Sequence, residues 1–247
     1  MRKALCLLTK IPNEIWLKFL DNFKEYDIFI IIDDNEIDYN EKYKNVYKNM
    51  KLIQIDNSIC YSHGYTNCNS AVGFPDVISW DKSLYLLNEI ETKYENVWLI
   101  EDDVFFRDEN VLLKIDEMYN ETDLLTSFHH ITHSNDNLND WWNHWVNIID
   151  RIELPWAHSM VCACRLSRKL LTEVVKYKNK KGHLFFIEAM FNTIVLQNNL
   201  TIENPTSLST IHWRTSWNLN DINYDNLYHP IKNIDDHDKL RSIYECK

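Results

Sequence analysis

Residues 97–105 read Val97-Trp98-Leu99-Ile100-Glu101-Asp102-Asp103-Val104-Phe105: four apolar residues run straight into three carboxylates. A short apolar run bounded by charge is the signature of a strand buried on both faces, as in a parallel sheet covered by helices. In open α/β sheets ligands collect outside the carboxyl ends of the strands, so acids standing there carry more functional weight than acids elsewhere. A second run, Ile28-Phe29-Ile30-Ile31-Ile32, ends the same way in Asp33-Asp34.

Outward from these two strands the chain alternates apolar runs with amphipathic stretches. Residues 4–8, 51–55, 124–128 and 160–164 predict further strands, and residues 13–23, 77–92, 111–118, 170–177 and 184–197 predict helices, with Ser167 placed to cap the fourth of these. Residues 57–76, polar and holding Gly64, Gly73 and Pro75, read as a long loop. Alternation of this kind predicts an α/β fold with a mainly parallel central sheet flanked by helices. No Pro/Gly/Ser-rich linker divides the 247 residues, so one domain is expected over 1–247.

Composition narrows the function. A net charge of −11 disfavours nucleic acid, whose binding depends on cations that neutralise phosphates. Only three glycines are present, Gly64, Gly73 and Gly182, and neither a P-loop nor a GxGxxG turn can be written from them. That argues against kinase, NTPase and dehydrogenase readings. The six cysteines contain no CxxC pair, and Cys162 and Cys164 are expected on one face of a strand, so no zinc site is expected. No segment has a signal-peptide layout or the length to span a bilayer, and a soluble cytoplasmic protein is expected.

Three adjacent carboxylates repel one another. A hard divalent cation, Mn²⁺ or Mg²⁺, relieves that repulsion and leaves positions open for phosphate oxygens. Taken alone, an acidic turn is common; its place at a strand end, beside Phe105-Phe106 and with a second acid pair elsewhere, favours a site.

The strand and acidic motif of residues 97–105 resemble those of the GT-A-fold glycosyltransferases, whose hallmark is a DXD-type motif after a central strand. The resemblance implies that Asp103 binds the metal, that the earlier acids Glu101 and Asp102 approach the ribose or hold metal-bound water, and that Asp33 and Asp34 contact the nucleoside; Glu101 departs from the usual Asp. It also implies a nucleotide-binding half, 1–103, and an acceptor-binding half with a C-terminal metal and diphosphate segment, 104–247. Tyr228-His229-Pro230-Ile231-Lys232 is similar to the C-terminal segment that completes such sites, with His229 as metal ligand and Lys232 toward the diphosphate. The expected donor is a nucleotide-sugar, UDP-linked, and the acceptor a glycan or glycoprotein.

Inverting sugar transfer needs a base for the acceptor hydroxyl. Phe186-Ile187-Glu188-Ala189-Met190-Phe191-Asn192-Thr193 sets one acid in an apolar helix, where desolvation would raise its pKa, and it resembles a base-bearing helix of core-2-type N-acetylglucosaminyltransferases. Glu188 is the expected catalytic base; a solvent-edge Glu paired with Lys180 or Lys181 is the bland alternative. Trp141, Trp142, Trp145, Trp156 and Trp213 are candidates for acceptor binding, because indole faces stack on sugar C–H faces, although a plain hydrophobic cluster explains at least two of the first four. His129, His130 and His133 lack an acid or cysteine at ligand spacing and read as hydrogen-bonding groups at most. Arg214 is read as a phosphate contact or a partner of surface acids. Two rival functions stay open, a metal-dependent phosphohydrolase and a non-catalytic sugar- or nucleotide-binding module.

Overall fold

The computed structural model describes residues 2–69, 77–134, 142 and 144–245. Strands β1 (Lys3–Thr9), β2 (Asp27–Ile32), β3 (Met50–Gln54) and β4 (Asn96–Glu101) pair in parallel in the order β3-β2-β1-β4. The sheet continues through strands contributed by the second half of the chain: β5 (Leu124–Leu125), β8 (Ala163–Ser167) and β9 (Ile202–Glu203), in the order β4-β8-β5-β9. β8 runs antiparallel to both neighbours, which makes the sheet mainly rather than wholly parallel. A separate ribbon pairs β6 (His130–Thr132) with β7 (Trp156–His158).

Each central strand is apolar throughout because its two faces enter two different cores. Ala4, Cys6, Leu8, Phe29, Ile31, Val97 and Leu99 pack on one side; Leu5, Leu7, Ile28, Ile30, Ile32, Trp98 and Ile100 pack on the other. On the first side lie α4 (Ser79–Tyr85, continued as a π turn to Ile90), α6 (Arg168–Lys181) and α7 (Ile187–Gln197). On the second lie α1 (Glu14–Leu20) and α5 (Glu109–Met118). The C-terminal α8 (Ile234–Glu245) packs beside α1.

Ser167 caps α6, accepting from the Leu170 N–H, as the sequence predicts. Three expectations are corrected. The stretch read as a long loop opens with a helix, α3 (Asn57–Ser62), because Asp56 accepts from the Ser58 N–H and starts it; a four-residue turn, α2 (Tyr39–Lys42), is capped likewise by Asp38. The helix expected from residue 184 begins at Ile187, since Leu184 and Ile187 donate their N–H groups to Thr66 and Cys68 instead. The strand expected at 160–164 lies at Ala163–Ser167, which leaves Cys162 just ahead of it, packed on the opposite side of the sheet from Cys164. Gly73, Pro75 and Trp141 lie outside the described residues.

Candidate active site

Register sets the site. β1 pairs Leu8 with Glu101 and Thr9 with Ile32, so the ends of β1, β2 and β4 finish along one edge. β8 begins at that edge, Ala163 facing Ile100, and the Glu101 N–H donates to the Cys162 carbonyl at 2.8 Å.

The three acids of the motif diverge. Glu101 accepts from the Trp80 indole N–H at 2.8 Å. Burial raises its pKa; that hydrogen bond opposes the rise and the Asp103 charge adds to it. Asp102 is committed to the fold: its carboxylate takes the Thr9 hydroxyl and its carbonyl takes the Trp16 indole N–H. Asp103 faces the C-terminal segment, which the backbone clamps in place. Phe105 and Tyr228 exchange N–H···O bonds of 2.8 and 2.9 Å, and the Ile231 N–H donates to the Asp103 carbonyl at 2.7 Å.

That clamp puts His229 Nε2 3.2 Å from Asp103 Oδ1 and Lys232 Nζ 3.9 Å from Asp103 Oδ2. His229 Nδ1 lies 2.6 Å from the His212 carbonyl, which can only accept, so Nδ1 carries the proton. In the neutral ring the Nε2 lone pair then points at a carboxylate oxygen, and two acceptors at that distance need a proton or a cation between them. Asp103 Oδ1 is shut off from solvent, and its close polar neighbour is His229 Nε2, which can bond it only when the ring is doubly protonated. Burial raises the Asp103 carboxyl, yet His229 and Lys232 outweigh it and hold the pKa below the ordinary value. Burial depresses His229, and Asp103 more than reverses that. Carboxylate and oriented imidazole fit a divalent cation, with the carbonyl fixing the ring as outer partners of metal-binding histidines do. Glu101, Cys162 and His229 offer ligand atoms within 4.8 Å of one another at the same place.

Beside this cluster is a cavity of about 260 Å³ lined by Trp80, Glu101, Trp142, His144, Glu188 and Trp213, among others. Glu188 sits in the first turn of α7 and accepts from the Trp142 indole N–H at 2.7 Å. Burial raises its pKa to about 7, against the pull of Trp142 and with a contribution from Glu101. It is paired with neither Lys180 nor Lys181 in any hydrogen bond or ion pair found among the described residues. Trp213, half exposed, stands at the cavity with the Arg214 guanidinium 4.5 Å above its ring.

The remaining sequence candidates are engaged in contacts of their own. Trp145 and Trp156 are buried, stacked on each other at 5.7 Å, and the Trp156 N–H is satisfied by the Ile152 carbonyl; they fasten the chain to the core rather than line the cavity. Asp34 accepts from the Glu36 N–H and the Tyr39 hydroxyl and so shapes its own turn. Asp33 stands 3.7 Å from the Lys82 ammonium, which is fully buried and donates to the Asp33 carbonyl at 2.6 Å. His129 Nδ1 is bonded to the Asn192 amide.

Sequence reading missed Trp80, Lys82 and Cys162. Lys82 left a usable signal, a charge on the apolar face of α4; Cys162 left none, because only the pairing of β4 with β8 brings it to Glu101.

No protein-family model matches the chain, and no curated protein matches its sequence. Solved structures match its shape. The galactosyltransferase LgtC, in complex with donor and acceptor sugar analogues, is 9% identical over 98% of this chain and 95% of its own, with a TM-score of 0.50. 4-Diphosphocytidyl-2C-methyl-D-erythritol synthase from Anaerococcus prevotii is 12% identical over 99% and 96%, with a TM-score of 0.48, and mouse xyloside xylosyltransferase 1 is 8% identical over 94% and 98%, with a TM-score of 0.45. At these identities the similarity concerns architecture: the chain has the GT-A type of α/β fold, the fold it shares with that galactosyltransferase.

Proposed function

We propose that this chain is a glycosyltransferase that moves a sugar from a nucleoside-diphosphate donor, UDP-linked, to a hydroxyl of a glycan or glycoprotein with inversion at the anomeric carbon. The observation that carries this reading is the joining of two groups far apart in sequence: Asp103 and His229 meet at the strand ends, beside a cavity whose wall holds a carboxyl with a pKa of about 7. A divalent cation, Mn²⁺ or Mg²⁺, held by Asp103 and His229 would supply positive charge against the departing diphosphate.

The chain's own groups divide the remaining work. Glu188 takes the proton of the acceptor hydroxyl as its oxygen bonds to the anomeric carbon and the bond to the diphosphate oxygen breaks. The Trp142 N–H keeps one Glu188 oxygen occupied and so fixes the direction of the other. Lys232, largely exposed and 3.9 Å from Asp103, adds a mobile positive charge for phosphate. The exposed face of Trp213 offers a stacking surface to an acceptor sugar.

The test is a panel of nucleotide-sugars incubated with the protein and Mn²⁺, reading release of nucleoside diphosphate. Glu188→Gln is expected to lower kcat by about 10²–10⁴-fold with the donor KM little changed. Release of inorganic phosphate instead would indicate a phosphohydrolase. Donor binding with no turnover on any acceptor or on water would indicate a binding module.

A further inference from the structure

Asp103 and His229 do not exhaust the ligands at the strand ends. The Cys162 sulfur, a Glu101 carboxylate oxygen and a His229 ring nitrogen lie within 4.8 Å of one another, three ligand types drawn from three separated segments. Two donors at tetrahedral angles around an ion with Zn–S of about 2.3 Å and Zn–N or Zn–O of about 2.0–2.2 Å stand roughly 3.3–3.7 Å apart, so small side-chain movements close this triangle on one ion. Asp103 Oδ1, buried, is already 3.2 Å from His229 Nε2, close to that spacing. His229 and Cys162 are both nearly fully buried.

We propose that Cys162 is a metal ligand, and that Glu101, Cys162 and His229 form a site selective for a borderline divalent cation, Zn²⁺ or Co²⁺, over Mg²⁺. The inference rests on the functional reading above for the place of His229, and the two ions compete there, because one Nε2 lone pair serves one cation. The reason is ligand chemistry. A thiolate and an imidazole suit zinc-like ions, while magnesium demands oxygen ligands in octahedral array and keeps its water. Cys162 is nearly fully buried beside Glu101, and its sulfur becomes a ligand only as the thiolate. Binding replaces the S–H bond with a metal–sulfur bond, and the proton leaves to solvent. Glu101, oriented by Trp80 and backed by the β8 lead-in, supplies the oxygen.

The experiment is a Co²⁺ titration of the full chain without nucleotide, followed by absorption spectroscopy. The expected result is a thiolate-to-cobalt charge-transfer band with the intense visible bands of a tetrahedral ion, bleached by Zn²⁺ and not by Mg²⁺. Cys162→Ser should lose the charge-transfer band and on the order of tenfold or more in Co²⁺ affinity, while Cys164→Ser keeps the band. Absence of the band in the unaltered protein overturns the proposal whether or not the variants fold, and so does a band that survives Cys162→Ser. UDP binding in Mn²⁺ is read on a separate, cobalt-free portion of the same preparation. If UDP binds and no thiolate band forms, the cysteine site falls and the transferase reading stands; the reverse pair of results leaves the metal site and removes the transferase.

Discussion

At the scale of single residues, Glu188 is the group whose surroundings make the sharpest demands. Its pKa of about 7 means that its charged form is costly in the folded protein, because burial is the dominant cause. Below the ordinary value of 4.5 the group is protonated in both folded and unfolded chains and costs nothing. Between 4.5 and about 7 the unfolded chain ionises freely while the folded one holds its proton, so stability falls as pH rises through that window and stays lower above it. Glu188→Gln should therefore raise the melting temperature at pH 8 and leave it unchanged at pH 4, with each kcal/mol recovered appearing as about 2–4 °C. A thermal melt at both pH values decides this; equal shifts at the two would contradict it. Trp142→Phe removes the N–H that stabilises the carboxylate while keeping a ring to stack on His158. On the proposed role of Glu188 as base, the ascending limb of kcat/KM should then move above pH 7 rather than below it.

Among the elements, the junction of β8 and α6 ties local sequence to the site. The Ser167 hydroxyl donates to Asp123 at 2.7 Å and accepts from the Leu170 N–H at 3.1 Å, so one side chain caps α6 and holds β8 to the chain before β5. Ser167→Ala should cost about 1–2 kcal/mol, or roughly 2–8 °C in melting temperature, without altering nucleotide affinity. This cap was legible in the sequence, as were β1, β2, β3, β4 and α5, because each is an uninterrupted apolar run or a stretch of helical period. What escaped reading was governed by partners distant in sequence. The start of α7 depends on Thr66 and Cys68 taking the N–H groups of Leu184 and Ile187. The placement of β8 depends on its pairing with β4. For the same reason Glu188, Asp103 and His229 could be chosen by residue type and context, whereas Trp80 and Cys162 became visible only with the fold.

Across the whole molecule, one seven-stranded sheet draws strands from both halves of the sequence, and the site lies where the halves meet. The first half contributes Glu101, Asp103 and Trp80; the second contributes Cys162, Glu188, Trp213 and His229. The backbone bridge between Phe105 and Tyr228 is the fastening that carries His229 to the end of β4. Two readings of the acidic motif lead to opposite results in one measurement: titration of UDP into the protein by calorimetry, with and without Mn²⁺, repeated with Asp103→Asn. If Asp103 and His229 hold a cation for a nucleoside diphosphate, UDP binds only with Mn²⁺, and Asp103→Asn weakens that binding by on the order of tenfold or more. UDP binding that ignores both the metal and the substitution, or no binding under either condition, would contradict the account.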